Sequence, residues 1–133
     1  RLGMGFASKE IISILNKIKP PYNVNSLTQE KAIEAIGYLD EKNETIDAIL
    51  AEKVKLKEKL DQIDGVQQIY RSDANFILVK INNATDIYNK LVEQSIIVRN
   101  RSSVTLCENC LRITVGKPAE NDKLINAIKE ITK

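Results

Sequence analysis

Arg99 and Arg112 are the residues of this sequence whose type and spacing best suit the binding of a ligand. Arg112 lies within the segment 111–115, where strand alternation sends the apolar residues to one face and Arg112 to the other. Arg99 directly follows the apolar run 96–98. If the two segments are antiparallel neighbours, both side chains face one site. A guanidinium binds a carboxylate or phosphate through paired hydrogen bonds, so we expect a site for one dianion or for two anionic groups.

The alternative for both arginines is an ordinary place at the surface, in a salt bridge or in solvent. The sequence contains no His, which is the side chain that most often carries protons near neutral pH. Any chemistry within the chain would therefore depend on Lys, carboxylates, Tyr, Cys or a cofactor.

Cys107 and Cys110 form a lone C-x-x-C motif. Without His or a second cysteine pair, the motif lacks the ligands of a zinc site. A thioredoxin-like motif opens a helix after a strand, whereas this one leads into the segment 111–115. We therefore expect reduced thiols in a turn and no metal.

Apolar periodicity and turn residues predict the elements that position the arginines. The first part of the chain reads as a short strand over 1–8, a helix over 9–18 and a connector stiffened by Pro20 and Pro21. A second helix starts with Ser26 or Thr28 as its N-cap, and a long helix over about 43–63 follows it.

The second part of the chain alternates between strand and helix patterns. The predicted elements are strands 66–71 and 75–81, a helix 84–94, strands 96–99 and 111–115, and a helix 119–131. This order is typical of an α+β layer. We expect a small, mostly antiparallel sheet with helices on one face, preceded by the long helix and by the strand and helix of the first part.

Composition limits the partners of the chain. The 133 residues are 43% apolar and 29% charged, and the formal net charge is +2. The charges are spread without a basic block, so we expect neither nucleic acid nor a membrane surface as a partner. No apolar run reaches the roughly twenty residues of a membrane span. The sequence starts without Met, as though inside a strand, and we expect a cytoplasmic protein that continues upstream.

The order of these pieces resembles the C-terminal portion of a pyridoxal-phosphate-dependent aminotransferase of fold type I, and within that group the histidinol-phosphate aminotransferases. The resemblance covers nearly the whole chain. The stretches that carry it are RLGMGFA at 1–7, PYNVN at 21–25, SDANFI at 72–77, IVR at 97–99 and CLRITVG at 110–116.

The resemblance implies roles for three arginines. Arg1 matches the arginine that contacts the phosphate of pyridoxal 5'-phosphate. Arg112 matches the arginine that clamps the substrate carboxylate. Arg99 matches a second arginine, which helps to hold the phosphate of histidinol phosphate in such enzymes. The implied activity of the full-length protein is amino transfer between histidinol phosphate and 2-oxoglutarate in histidine biosynthesis, with a small-molecule substrate and a homodimeric enzyme.

The resemblance also implies a division of the chain and a missing part. Residues 1–25 match the end of the large cofactor domain with its connector, and residues 26–133 match the small C-terminal domain with the long linking helix. The lysine that carries the cofactor precedes the position of Arg1 in such enzymes, so this chain contains no catalytic residue. Two alternatives stay open: a related enzyme, such as an aromatic aminotransferase or a threonine-phosphate decarboxylase, and a free-standing small-ligand binding module.

The expected absence of the cofactor lysine has a direct test. This chain, mixed with pyridoxal phosphate and reduced with borohydride, should acquire no stoichiometric adduct, because no lysine stands in the matching context. Intact-mass measurement and peptide mapping would check this, with the full-length protein as the positive control. A stoichiometric adduct at one lysine of this chain would contradict the assignment.

Overall fold

The computed structural model describes residues 2–3 and 5–133, with the backbone alone at Leu39. The chain divides into two compact units, Arg1–Asn43 and Glu44–Lys133.

The first unit contains α1 (Lys9–Ile18), α2 (Ser26–Ile36) and the beginning of α3 (Leu39–Asp61). The N-cap of α2 is neither Ser26 nor Thr28 but Asn25, whose side-chain oxygen accepts a hydrogen bond from the backbone N–H of Thr28 at 2.8 Å. Asn is as good an N-cap as Ser, and its oxygen satisfies a donor of the first helical turn.

The predicted strand over 1–8 is wrong for the residues described there. Residues 2–3 and 5–8 lie outside any helix or strand. A strand exists only when its backbone pairs with a neighbouring strand, and the described strands all belong to the second unit. Every described side chain of the first unit is exposed or half-buried, including apolar residues of α1 such as Ile14 and Ile18.

The second unit is an α+β layer built on a four-stranded sheet. After α3 the elements are β1 (Val66–Ile69), β2 (Phe76–Ile81), α4 (Ala84–Glu93), β3 (Arg99–Asn100), β4 (Cys110–Thr114) and α5 (Pro118–Ile131). The strand order is β1-β2-β4-β3, and all neighbouring strands are antiparallel. The predicted fold class is therefore confirmed.

The core lies between one sheet face and the helices. Alternation in β2 buries Ile77, Val79 and Ile81 and leaves the residues between them half-buried. The helices cover this face with Leu56, Leu60, Ile87, Leu91, Leu124, Ile125 and Ile128. The opposite face, here called the open face, carries the alternate residues of β2 and β4.

The largest differences from the predicted boundaries lie in β3 and at the start of α3. The strand expected at 96–99 is reduced to Arg99–Asn100. Ile96 instead donates its N–H to the carbonyl of Leu91 at 2.8 Å, and Ser95 has a positive φ of 59°, so this stretch completes the end of α4. The long helix begins at Leu39, earlier than expected, with Asp40 and Glu41 in its first turn, where acidic residues favour a helix N-terminus.

The dependence of the fold on this core can be measured on α3. Leu60 is fully buried, whereas Leu50 on the same helix is 48% exposed. Leu60→Ala should lower the free energy of unfolding by about 2–5 kcal/mol, because it removes apolar contacts and leaves a cavity. Leu50→Ala is the matched control and should cost less than about 1 kcal/mol. Urea unfolding of the chain measures both, and equal losses would contradict the packing described.

Candidate functional site

The sheet register brings Arg99 and Arg112 together. Arg99 on β3 lies directly opposite Arg112 on β4 in an antiparallel pair. Residues directly opposite in such a pair project from the same face, with Cβ atoms about 4.5–5.5 Å apart. The neighbours of Arg112 along β4, Leu111 and Ile113, are 1% exposed on the core side. Both arginines therefore project from the open face, as alternation predicts for Arg112 and as antiparallel pairing of the two strands predicts for Arg99.

Arg112 is half-buried, and its neighbour on the open face is aromatic. The central carbon of its guanidinium lies 5.1 Å from the centroid of the Phe76 ring, within the range of a cation–π contact. Its Nε is buried and has no hydrogen-bond partner among the described residues. The guanidinium of Arg112 therefore lies against the Phe76 ring, and no described residue accepts a hydrogen bond from its Nε.

The pair of arginines has no acidic partner. Neither Arg99 nor Arg112 forms an ion pair with a carboxylate of residues 2–3 or 5–133. Other cations of the second unit do find such partners, for example Lys90 with Asp86 at 2.9 Å. Within the described residues, the salt-bridge alternative for the two arginines is therefore wrong. Neighbouring like charges repel each other, so an anion bound between them would be stabilised.

The position of β4 is fixed at its carboxyl end. Val115 donates its N–H to the carbonyl of Asn75 at 2.9 Å. The buried side chain of Asn121 accepts from the N–H of Gly116 at 2.9 Å and donates to its carbonyl at 3.0 Å and to Glu52 on α3 at 3.2 Å. A Cβ at Gly116 would lie 2.8 Å from a carboxylate oxygen of Glu120, so a larger residue there would displace the Glu120 side chain. The strand that carries Arg112 is therefore tied to two helices.

Arg99 is exposed, and its strand is held by the next residue. The Asn100 side chain donates to the hydroxyl of Thr85 on α4 at 3.0 Å and accepts from the N–H of Ser102 at 2.9 Å. These contacts fix the backbone of β3 and leave the long Arg99 side chain free to reach a ligand.

Both cysteines are free thiols, as expected, but Cys110 is the first residue of β4 and only Cys107 lies in the preceding turn region. Cys110 donates its N–H to the carbonyl of Cys107 at 3.0 Å, and Asn109 between them has a positive φ of 57°. Burial raises the pKa of the Cys110 thiol above its ordinary value, and the neighbouring Cys107 adds to this rise. No cluster of His, Cys, Asp or Glu that could hold a metal occurs among the described residues.

Arg1, the residue matched to the cofactor phosphate, lies outside the described residues. Phe76, in contrast, is part of the site although sequence reasoning does not single it out. In β2 the residues on both faces are mostly apolar, so alternation alone does not assign its face. The signal that identifies it is the register of β2 with β4, which pairs Phe76 with Thr114, two residues from Arg112.

Comparison with known proteins identifies the family. The family model for aminotransferase class I and II matches residues 1–128. The chain belongs to this aminotransferase family. A histidinol-phosphate aminotransferase of Parabacteroides distasonis is 52% identical over 131 residues, which cover 98% of this chain and 38% of that protein. The resemblance to aminotransferases is therefore confirmed, and the chain spans 38% of the length of this relative.

Solved structures share the fold of this aminotransferase chain. The histidinol-phosphate aminotransferase of Clostridium acetobutylicum superimposes with a TM-score of 0.83 at 23% identity, over 93% of this chain and 38% of that one. The enzyme of Sinorhizobium meliloti, solved in complex with pyridoxal-5'-phosphate, gives a TM-score of 0.77 at 22% identity, over 90% of this chain and 33% of that one. Among the residues described here, no helix combines the length and apolar character needed to cross a membrane.

The environment of the two thiols predicts unequal reactivity. Cys110 is 0% exposed and Cys107 is half-exposed. The raised pKa of Cys110 disfavours the thiolate, which is the form that reacts with iodoacetamide, and burial restricts access to its sulfur. Cys107 should therefore be alkylated at least about tenfold faster in the folded chain, and the difference should vanish in urea. Peptide mass spectrometry over time measures both rates, and equal labelling of the folded protein would contradict the burial of Cys110.

Proposed function

We propose that this chain is the C-terminal portion of a pyridoxal-phosphate-dependent aminotransferase that exchanges an amino group between histidinol phosphate and 2-oxoglutarate in histidine biosynthesis. The family assignment supports the class of reaction. The identity of 52% to a histidinol-phosphate aminotransferase, over nearly the whole chain, supports the substrate.

The observation that carries the proposal is the unpaired arginine pair on the open face. Arg99 and Arg112 lie opposite each other and have no acidic partner among the described residues. The enzyme must bind a phosphate monoester in one half-reaction and a dicarboxylate in the other, and both are dianions. We assign the carboxylate of the dicarboxylate substrate to Arg112 and the phosphate of histidinol phosphate to Arg99.

The part played by this chain is binding and orientation. Arg112 would present its terminal nitrogens to the carboxylate of the dicarboxylate substrate as a bidentate donor. Exposed Arg99 would bind the phosphate of histidinol phosphate. Holding the anionic group of a substrate restricts the position of its reacting carbon and contributes to rate by orientation. No proton transfer is assigned to a residue of this chain, since guanidinium groups remain protonated at neutral pH.

The described residues fit the substrate anions rather than the cofactor itself. The guanidinium groups of Arg99 and Arg112 have no carboxylate partner among the described residues, so their terminal nitrogens suit anionic ligands. Pyridoxal phosphate, when bound in the full-length enzyme, supplies the electron sink for the chemistry at the substrate carbon. Arg1 is proposed to contact its phosphate, and the lysine that carries it belongs to sequence upstream of Arg1.

The same proposal covers the organisation of the enzyme. Residues 1–25 would complete the large cofactor domain and residues 26–133 would form the small domain. We further propose a homodimer in the cytoplasm. Size-exclusion chromatography with light scattering of the full-length protein tests the dimer.

The assignment of Arg99 can be tested in the full-length enzyme. Arg99→Ala should lower kcat/KM for histidinol phosphate by about 10- to 100-fold, because a charge-assisted contact to the phosphate is worth about 1.5–3 kcal/mol. The efficiency with an unphosphorylated amino donor should change less than about threefold. Steady-state kinetics with both donors measures this selectivity.

Arg71→Ala is the matched control for this experiment. Arg71 follows β1 at the opposite edge of the sheet, and its loss removes the same charge and only a 3.9 Å ion pair between two side chains that are 91% and 90% exposed, Arg71 and Asp73, while β3 with Arg99 stays intact. Equal losses with both donors would argue against a phosphate role for Arg99. Release of CO₂ from a phosphorylated amino acid, without amino transfer, would favour the decarboxylase alternative.

A further inference from the structure

The aromatic ring of Phe76 lies against the guanidinium of Arg112. Phe76 pairs with Thr114 across the sheet, whereas Arg112 pairs with Leu78. Phe76 and Arg112 are thus diagonal neighbours on the open face, a spacing that aromatic and long side chains bridge. The 5.1 Å separation shows that they do so here.

The side chain of Arg112 binds a ligand more tightly if its conformation is restricted before the ligand arrives. A free arginine side chain loses about 2 kcal/mol of rotamer entropy when it is fixed, and this cost is subtracted from the binding of a ligand. Arg112 has no carboxylate partner among the described residues to fix it in advance, and its buried Nε has no acceptor there. A ring lying against the guanidinium restricts its motion and leaves the terminal nitrogens for the ligand.

The backbone that carries Phe76 is held by a network of hydrogen bonds. Lys53 on α3 donates from its ammonium group to the carbonyl of Ser72 at 2.7 Å and to that of Ala74 at 2.9 Å. The hydroxyl of Ser72 donates to the carbonyl of Phe76 at 2.6 Å and accepts from the N–H of Ala74 at 3.2 Å. The turn that leads into β2 is therefore tied to the helix that forms the core.

Lys53 donates to two backbone carbonyls of the 72–74 turn, so its ammonium group stabilises the conformation of that turn. Lys53 is half-buried, and the acceptors lie 19 and 21 residues further along the chain. The contact therefore joins separate elements rather than neighbouring residues. Loss of this ammonium group would loosen the turn next to Phe76 without removing the ring.

We infer that Phe76 is a positioning residue of the anion site, which holds the guanidinium of Arg112 ready for a carboxylate, and that Lys53 keeps Phe76 in place through the 72–74 turn. The inference rests on the proposed function, because it deepens the role given to Arg112. It assigns to the SDANF stretch a task in substrate binding. Since Nε is buried, the carboxylate is bound end-on, through the two terminal nitrogens of Arg112.

The experiment uses the full-length enzyme and the variants Phe76→Leu, Phe76→Tyr, Lys53→Met and Arg112→Ala. Phe76→Leu keeps an apolar side chain but removes the ring, and should raise KM for 2-oxoglutarate by roughly 3- to 30-fold, the range expected from a cation–π contact. The value of kcat at saturation should stay within about twofold. Phe76→Tyr keeps the ring and should restore KM to near the wild-type value.

Lys53→Met should raise KM for 2-oxoglutarate by a smaller factor, of roughly 2- to 5-fold, since the ring remains but its turn is loosened. Lys57→Met is the matched control: it removes the same charge one helical turn further along α3, where the side chain is exposed, and should leave KM unchanged. Thermal unfolding of each variant establishes that the protein is folded before kinetics are measured.

Different results would overturn the role of Arg112 in the proposed function and the positioning role of Phe76. If Arg112→Ala leaves KM for 2-oxoglutarate unchanged, the role of Arg112 in the proposed function is wrong. If Arg112→Ala raises KM but Phe76→Leu behaves as wild type, the positioning role of Phe76 is wrong and the proposed function stands. If Phe76→Leu does not fold, an unchanged KM in Lys53→Met overturns the inference, and a raised KM in Lys53→Met with a wild-type Lys57→Met supports it. A Phe76→Tyr variant as weak as Phe76→Leu would also overturn it.

Discussion

The alternation of side chains along β4 is the constraint on which the site depends. Leu111 and Ile113 are buried against the helices, opposite Val79 and Ile77 of the central strand β2. With both neighbours in the core, Arg112 has no position available except on the open face. A slip of one residue in this register would bury the guanidinium and expose the apolar pair, at a cost of several kcal/mol. The hydrophobic core therefore determines where the charge lies, and the orientation of Arg112 is a consequence of packing.

The electrostatic character of the open face follows from this arrangement. Two arginines stand opposite each other, and residues 2–3 and 5–133 supply no carboxylate to pair with either. Solvent screens exposed Arg99, and the Phe76 ring compensates half-buried Arg112, so the pair is tolerated without a ligand. A bound dianion would relieve the repulsion. The predisposition of this surface for anions is therefore a property of the second unit.

The supports of the site come from elements far apart in the chain. Lys53 on α3 holds the turn before β2, Asn121 on α5 holds the end of β4, and Asn100 ties β3 to α4. Each is a directional hydrogen bond between a helix and the sheet, added to the non-directional packing of the core. Packing alone would fix the layers, whereas these bonds fix the individual backbone segments that carry Arg99, Arg112 and Phe76.

The sequence by itself determined the α+β class, the helices of the second unit and the face of Arg112, because the periods of 2 and 3.6 residues are local properties. The resemblance placed the chain among the aminotransferases, as the family comparison confirmed. Tertiary structure decided what local periodicity does not encode. The pairing of Arg99 with Arg112 and the place of Phe76 depend on register, and register is set by contacts between distant segments. The strand predicted at 1–8 is wrong for residues 2–3 and 5–8 for the same reason, since a strand needs a partner that local pattern does not supply.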